Sequence, residues 1–188
     1  MIPLIAHTSR LTLIAASRAL LIAELQKPRY FPILLGAAMP ADWPPGEYDQ
    51  ETAGFFLAQL TAGGRTAAGW YGWYAIRKAS ADTPATLVGA GGFLGPPDAA
   101  GTAEIGYSIA ADWRGQGLAT ELVAGLVQHA AQTAMVRRLI AHTQPGNEAS
   151  RQVLLHNDFQ PTAPAADGRL RFERMVEPIG PALPQPAK

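Results

Sequence analysis

The stretch DWRGQGLATELV, residues 112–123, constrains the fold more than any other part of the chain. It follows a segment with strand-like alternation, residues 102–111, and leads into a helical pattern in which Leu118, Leu122 and Leu126 recur at i, i+4 spacing. Glycine is a poor helix former, but it lets another molecule come close to the backbone. A helix that starts from such a turn offers unpaired N–H groups and the positive end of its dipole. The stretch therefore predicts an anion site.

The order of the predicted elements indicates an α/β (α+β) fold in which a mixed sheet carries helices on both faces. Strand-like patterns cover residues 10–17, 69–78, 85–95, 102–111, 136–143 and 169–176. Helical patterns, with Ser17 and Asn147 as N-caps, cover residues 17–26, 50–60, 116–134 and 147–158. Residues 36–49 contain three prolines and predict an irregular loop. We expect one domain over residues 1–176 and a proline-rich, extended tail over residues 177–188.

The composition excludes several classes of site. The 15 basic and 15 acidic side chains cancel, so no overall charge favours nucleic acid or an acidic membrane surface. The chain has no cysteine, which rules out disulfides and a cysteine nucleophile, and His7, His129 and His156 lack metal-ligand spacing. Arg18 and Glu24 interrupt the longest apolar stretch, and the N-terminus lacks a basic region. We therefore expect a cytoplasmic protein with no metal site, membrane span or signal peptide.

Three kinds of phosphate-binding turn compete for residues 114–120. A phosphate loop of the NTPase type needs a lysine after its last glycine, and this chain has Leu118 there. A dinucleotide fingerprint needs a third glycine where this chain has Thr120. The third pattern, (Q/R)-x-x-G-x-(G/A), is matched in full by RGQGLA, residues 114–119.

This signature stands among other motifs in a fixed order. EIGY covers residues 104–107, AHT covers residues 141–143, and an N-x-x-S pattern covers residues 147–150. In these motifs the chain resembles the GNAT superfamily of acyl-CoA-dependent N-acyltransferases, and within it the branch of ribosomal-protein N-terminal acetyltransferases. The resemblance covers about residues 10–176, and one departure is Asp158, where the family usually has a glycine before the phenylalanine.

The resemblance implies a mostly antiparallel central sheet whose two central strands splay apart, with acetyl-CoA as the acetyl donor. The pantetheine arm would pair with the backbone near Ile109 and Ala111, and Asn147 would contact the far side of that arm. The pyrophosphate would bind the backbone amides of one continuous run, namely Arg114, Gly115, Gln116, Gly117, Leu118, Ala119 and Thr120.

Amine acylation needs a base that takes a proton from the amine and a proton donor for the leaving thiolate. Glu104 and His142 are both candidates for the base, although Glu104 could be an ordinary salt-bridged carboxylate and His142 could only shape its loop. Many relatives use a tyrosine acid at a position where this chain has Leu154. Ser150 could donate through its hydroxyl, or the thiolate could leave without a dedicated donor.

The acceptor pocket is expected to come from the irregular loop, residues 36–49, and from the aromatic segment GWYGWY, residues 69–74. Its aromatic residues could line a cleft or belong to the core, and they are Trp43, Trp70, Tyr71, Trp73 and Tyr74. A modest acidic group keeps a cationic amine open as substrate, and it consists of Asp42, Glu47, Asp49 and Glu51. A small-molecule amine and a protein N-terminus are equally compatible with these features.

The sequence thus predicts an N-acetyltransferase that transfers an acetyl group from acetyl-CoA to a primary amine by direct attack in a ternary complex. The alternative is a non-catalytic acyl-CoA sensor or scaffold, which the missing tyrosine at Leu154 keeps open. A third hypothesis is a nucleotide-binding regulatory domain, which would require affinity for ATP or NAD. A homodimer is expected from the habit of the family alone.

Overall fold

The described part of the chain, residues 4–179, forms one open sheet in the computed structural model. Its strands are β1 (Ile5–His7), β2 (Leu11–Ala15), β3 (Trp73–Arg77), β4 (Thr86–Phe93), β5 (Thr102–Ile109), β6 (Arg138–Thr143), β7 (Gln160–Pro161) and β8 (Leu170–Met175). Its helices are α1 (Arg18–Gln26), α2 (Phe31–Leu35), α3 (Gln50–Gly63), α4 (Leu118–Thr133) and α5 (Glu148–His156). A short 3-10 turn, Ala111–Trp113, joins β5 to the glycine turn before α4.

The strand order is β1-β2-β3-β4-β5-β6-β8-β7, and every neighbouring pair is antiparallel except β5 and β6. These two parallel strands pair only at Thr102–Glu104 with Arg138–Ile140, while each strand continues beyond its paired part. The sheet therefore opens between β5 and β6 towards their C-terminal ends. The predicted mixed, mostly antiparallel sheet with a splay is confirmed.

Helices cover both faces of the sheet, as the alternation of side chains in β2 shows. Leu13 is fully buried against α4, and a side chain at Gly125 would run into it. Ile14 points to the opposite face, where it lies beside Leu20 of α1 and Leu60 of α3. Close approach of α4 to the sheet thus depends on the missing side chain of Gly125. The prediction of helices on both faces is confirmed.

Two helix starts lie at the predicted caps. Ser17 Oγ accepts a hydrogen bond from Leu20 N at 3.2 Å, and Asn147 Oδ1 accepts one from Ser150 N at 3.0 Å. Each side chain satisfies a backbone donor that has no partner inside its helix, which fixes where α1 and α5 begin.

Two predicted boundaries are wrong because glycines adopt the left-handed conformation. α4 begins at Leu118 rather than at residue 116, since Gly117 has φ +74° and cannot continue a helix backwards. β3 begins at Trp73 rather than at residue 69, since Gly72 has φ +67°. The sequence analysis also missed the short elements β1, α2 and β7.

The chain beyond β8 is described as far as Ile179, whose N–H donates to the Ala131 carbonyl at 3.0 Å. The rest of the predicted tail, residues 180–188, lies outside the described residues, as do residues 1–3. Within residues 4–179 no helix is long and apolar enough to cross a membrane.

Candidate functional site

The glycine turn before α4 leaves open space above its backbone. Gly115 and Gly117 have φ of +72° and +74°, in the left-handed region that glycine adopts without strain. A Cβ built on Gly115 would meet nothing within 4 Å, and one on Gly117 would meet only Arg10 Nη2 at 3.5 Å. No side chain caps the first turn of α4. Its first N–H groups therefore face this space, as an anion site requires.

Two arginines hold the turn in place, and one of them, Arg114, adds positive charge beside it. Arg10 Nη1 donates to the Gln116 carbonyl at 2.8 Å, and Arg10 Nε pairs with Glu121 Oε2 at 2.7 Å. Arg114 Nε donates to the Ile109 carbonyl at 2.9 Å, at the end of β5. Sequence reasoning missed Arg10, because it lies 106 positions from Gln116 and no local pattern marks it.

A groove of about 530 Å³ runs from this turn along the opening between β5 and α5. Its walls include most residues of the predicted donor site, namely Ile109, Arg114, Gly115, Gly117, Leu118, Ala119, Thr120 and Asn147. Ala111 and Gln116 are not in its walls. The Ala111 N–H donates to Asp42 Oδ2 at 2.7 Å, and Gln116 Nε2 points to the Asp112 carbonyl at 3.4 Å. The splay thus leaves an elongated channel whose shape and donors suit a nucleotide with a long arm.

A second cavity, of about 240 Å³, lies on the other side of β5. The irregular loop and α3 supply Glu47, Tyr48, Thr52 and Phe56, and the remaining walls include residues 90–92 of β4, Glu104 and Arg169. The cavity and the groove share Glu47, residues 105–108 and His142 in their walls. Two substrates could therefore meet at β5, one from each side.

Glu104 and His142 form one hydrogen-bonded pair at this junction. Glu104 lies opposite Ile140 in the β5–β6 register, and His142 follows two residues later on the same face of β6. His142 Nδ1 is 2.8 Å from Glu104 Oε1. Because a carboxylate only accepts hydrogen bonds, the proton of a neutral ring lies on Nδ1 and Nε2 is left as an acceptor. The two alternative bases of the sequence analysis are thus partners in one unit.

Tyr107 and Ser150 form a second polar pair on the opposite face of β5. Tyr107 Oη lies 2.9 Å from Ser150 Oγ and 3.1 Å from the Ser150 carbonyl oxygen. Burial raises the pKa of Tyr107 to about 12. Sequence reasoning did not single out Tyr107, although it stands in the EIGY motif, because strand alternation placed it away from Glu104. Leu154, at the position considered for a tyrosine acid, is fully buried in the core.

The loop of residues 36–49 is anchored by a carboxylate from α1. Glu24 accepts hydrogen bonds from Trp43 Nε1 at 2.8 Å, Tyr48 Oη at 2.8 Å and Tyr74 Oη at 2.5 Å. Burial raises the pKa of Glu24, although the three donors counteract part of this effect. This network explains how an irregular, proline-rich segment takes a defined position above β5.

The aromatic segment before and within β3 forms core rather than a cleft. Trp70, Tyr71, Trp73 and Tyr74 are all buried. Tyr71 packs against Phe56 of α3, Trp70 and Trp73 pack against His129 of α4, and Tyr74 packs against Phe31 of α2. Of the four acidic candidates, Asp42 accepts from Ala111 and Asp49 Oδ1 caps α3 through Thr52 N. Glu47 is the member of that group in the walls of both cavities. Among residues 4–179 no cluster of histidine and acidic side chains could hold a metal ion.

Comparison with known proteins gives the family. The model of the acetyltransferase (GNAT) domain matches residues 22–160, which is most of the chain. A ribosomal-protein-serine acetyltransferase of Escherichia coli strain K12 is 38% identical over 58 residues. That alignment spans 31% of this chain and 32% of the relative, so the similarity covers about a third of each protein.

Solved structures share the fold over most of their length. One is an acetyltransferase of Salmonella typhimurium that modifies the N-terminal serine of the ribosomal protein L7/L12, with a TM-score of 0.66 and 18% identity, covering 93% of this chain and 100% of that one. Another is RimL, a ribosomal L7/L12 α-N-protein acetyltransferase in complex with coenzyme A, with a TM-score of 0.64 and 20% identity, covering 93% and 99%. The fold, the matched domain and the motifs agree, and the chain belongs to the GNAT acetyltransferase family.

Proposed function

We propose that this protein transfers an acetyl group from acetyl-CoA to a primary amine, and that residues 1–176 act as one domain. The observation that carries the proposal is the meeting of two cavities at β5, with the Glu104–His142 pair at their junction. The groove is the site for the donor, and the smaller cavity is the site for the amine. Direct attack becomes possible because both molecules can reach the same segment of β5 at once.

The donor site follows from the backbone of the turn and from the walls of the groove. N–H groups at the start of α4 bind the pyrophosphate, Arg10 holds the turn in place through the Gln116 carbonyl, and Arg114 adds positive charge nearby. The pantetheine arm lies in the opening between β5 and β6, where backbone groups of β5 beyond Glu104 have no β6 partner. Asn147 and Ser150 line the far wall. Coenzyme A in the complex with RimL, which shares the fold, supports this assignment.

The base is the Glu104–His142 pair acting as a unit. Glu104 orients the imidazole through Nδ1, and Nε2 takes the proton from the ammonium group of the acceptor, directly or through one water molecule. A free amine then attacks the acetyl group in the groove. Glu47 at the shared wall attracts the cationic acceptor before its proton is lost.

The acceptor is the amine of a protein N-terminus or of a small molecule. Two similar proteins support the protein acceptor and an action in the cytoplasm, where ribosomes are. One is named a ribosomal-protein-serine acetyltransferase, and the other is described as modifying the N-terminal serine of L7/L12. A homodimer stays a prediction, and light scattering on the purified protein tests it. The competing role as an acyl-CoA sensor predicts binding of acetyl-CoA without release of thiol in the presence of any amine.

Substitution Gly117→Asp tests the donor site. Aspartate tolerates the left-handed conformation, but it places bulk and negative charge where the pyrophosphate binds. We expect calorimetric titration to show micromolar binding of acetyl-CoA by the wild type, no response to ATP or NAD, and no measurable binding by the variant. Gly36→Asp is the matched control, because Gly36 is also left-handed with open space around it. Undiminished binding by a folded Gly117→Asp variant would refute the assignment.

A further inference from the structure

Arg169 lies in the wall of the smaller cavity, together with the Glu104–His142 pair. In the β6–β8 register Arg171 is opposite His142, and Arg169 precedes Arg171 by two residues. Arg169 therefore projects on the face of the sheet that carries His142. Diagonal neighbours of this kind in an antiparallel pair lie about 7–8 Å apart, within reach of a long side chain. A molecule whose amine is at His142 can thus contact the Arg169 guanidinium group as well.

The Arg169 side chain is held from one side only. Asp167 Oδ2 accepts a hydrogen bond from Arg169 Nε at 2.8 Å, and Asp167 Oδ1 accepts one from the Arg169 backbone N–H at 3.0 Å. Among residues 4–179, Nη1 and Nη2 of Arg169 have no hydrogen-bond partner. A guanidinium group that is oriented through Nε alone keeps its other donors for a ligand.

Positive and negative charges lie on different sides of the cavity. Glu47 comes from the irregular loop, and no ion pair joins it to Arg169. On β6 and β8, Arg138 and Arg171 share the single carboxylate of Glu173, at 3.7 and 2.6 Å. The Arg171 Nε is buried and has no hydrogen-bond partner among the described residues. This strand pair therefore carries positive charge in excess beside the cavity, whereas the loop carries a negative charge.

We propose that the acceptor carries a carboxylate close to its amino group, and that Arg169 binds this carboxylate. The inference rests on the proposed acetyl transfer and specifies the class of amine. When the ammonium group lies between Glu47 and His142, a carboxylate a few bonds away meets Arg169 in the same cavity. A planar guanidinium group pairs with a carboxylate through two parallel hydrogen bonds, so it fixes the direction of the acceptor as well as its identity.

The size and charge of the cavity narrow the choice of acceptor further. Its volume of about 240 Å³ suits a small acceptor or the first residues of a peptide. A second cationic group on the acceptor would lie beside Arg169, where like charges repel. The carboxylate can come from the α-carboxyl group of a free amino acid or from an aspartate at the second position of a peptide.

The first test uses two pairs of acceptors whose members differ in charge but hardly in shape. One pair is the amidated tripeptides Ala-Asp-Ala and Ala-Asn-Ala, and the other is alanine and alaninamide. We expect the wild type to prefer the charged member of one pair about tenfold in kcat/KM, and Arg169→Gln to lose this preference mainly through a higher KM. The pair that shows the effect identifies the source of the carboxylate. The intrinsic reactivity of each amine cancels because preferences are compared between variants.

Two further substitutions and a control sharpen this test. Arg169→Lys keeps the charge and should keep part of the preference, whereas Arg169→Glu should reverse it. Arg151→Gln is the matched control, because Arg151 also pairs with a nearby carboxylate, at 2.6 Å, but lies outside both cavities. A preference that survives in Arg169→Gln, or a wild type without preference in either pair, would overturn the proposal and leave acetyl transfer standing.

The second test does not depend on turnover. Protein saturated with coenzyme A, which has no acetyl group to give, is titrated calorimetrically with the same two pairs of acceptors. The wild type should bind the charged member about tenfold more tightly, and less so at high salt because the Arg169 side chain is 42% exposed. An arginine that only stabilised its turn would lower the melting temperature in Arg169→Gln and leave the ratio of affinities unchanged, which would reject the role. Selective binding without acetyl transfer would support the carboxylate site and overturn the proposed function instead.

Discussion

The base that we propose depends on the 2.8 Å contact between Glu104 and His142. A carboxylate behind an imidazole fixes which nitrogen carries the proton, and thereby leaves the other nitrogen as acceptor. Neither residue can be assigned a role without its partner. Substitutions must therefore be read in pairs.

Substitution of either member should lower turnover at neutral pH. We expect His142→Ala to reduce kcat about a hundredfold or more, and Glu104→Gln to reduce it less, because glutamine can still hold the ring. Both losses should shrink at high pH, where more of the acceptor amine is already free base. The measurement is the pH profile of thiol release, with the exposed Glu148→Gln as control. A double variant much slower than His142→Ala would show that the two residues act separately.

His129 bears on the stability of the fold, since it packs against the rings of Trp70, Trp73 and Phe93. Burial lowers its pKa below the usual value of 6.5. The folded state therefore binds this proton less readily than the unfolded state. The contribution of neutral His129 to the free energy of unfolding is fully present above about pH 6.5, and it is lost as the pH falls through the folded-state pKa.

Urea unfolding at pH 7 and at pH 5 tests this sign. We expect the wild type to lose more free energy of unfolding between these two pH values than His129→Gln does. His7→Gln, at an exposed position on β1, serves as the control and should behave like the wild type. If His129→Gln keeps the full pH dependence, the imidazole in the aromatic cluster is not its source.

At the scale of an element, the loop of residues 36–49 depends on Glu24 rather than on regular hydrogen bonding. Three ring donors converge on this carboxylate from the loop and from β3. Removing it leaves buried donors without an acceptor, and each such donor costs roughly 1–3 kcal/mol. The same loop carries Glu47 into the wall of the cavity proposed for the amine.

Substitution Glu24→Ala should therefore affect stability and the acceptor together. We expect the free energy of unfolding to fall by at least about 2 kcal/mol and KM for the amine to rise severalfold, with the affinity for acetyl-CoA unchanged. Denaturant unfolding and initial-rate kinetics measure the two effects, and the exposed Glu51→Ala is the control. A stable variant with an unchanged KM would show that the loop is held by other contacts.

For the whole molecule, the two cavities on either side of β5 predict the order of events. The donor and the acceptor can be bound at the same time, so acetyl transfer needs no covalent acetyl-protein intermediate. Initial rates measured over a grid of both substrates should give intersecting lines in double-reciprocal plots. Parallel lines would indicate a ping-pong reaction and would contradict direct attack.

The sequence predicted those parts of the molecule in which the signal is local. The glycine turn, the caps at Ser17 and Asn147 and the splayed mixed sheet are examples, because each depends on residues close together or on a family pattern. Contacts between distant segments could not be predicted. Arg10 reaches the turn from the position just before β2, Glu24 reaches the loop from α1, and neither residue carries a pattern that marks it.

The aromatic segment, for which a cleft and a core were both open, illustrates a second limit. Residues 69–74 are as compatible with a binding surface as with a core, and the choice depends on what packs against them. Here side chains of α2, α3 and α4 cover the rings, and the loop and α3 line the cavity proposed for the amine. Alternation along a strand places Tyr107 and Glu104 on opposite faces of β5, but it could not show that α5 brings Ser150 to the face on which Tyr107 lies.

The brief pairing of β5 with β6 has a mechanical consequence. Three residues on each strand join the two halves of the sheet, and beyond these residues no backbone hydrogen bonds connect β5 to β6. A pantetheine arm that hydrogen-bonds to the backbone in this gap would take the place of a strand and join the two halves of the sheet. The donor would then be a structural member of the molecule for as long as it stays bound, and its departure after each reaction would return the sheet to its divided state.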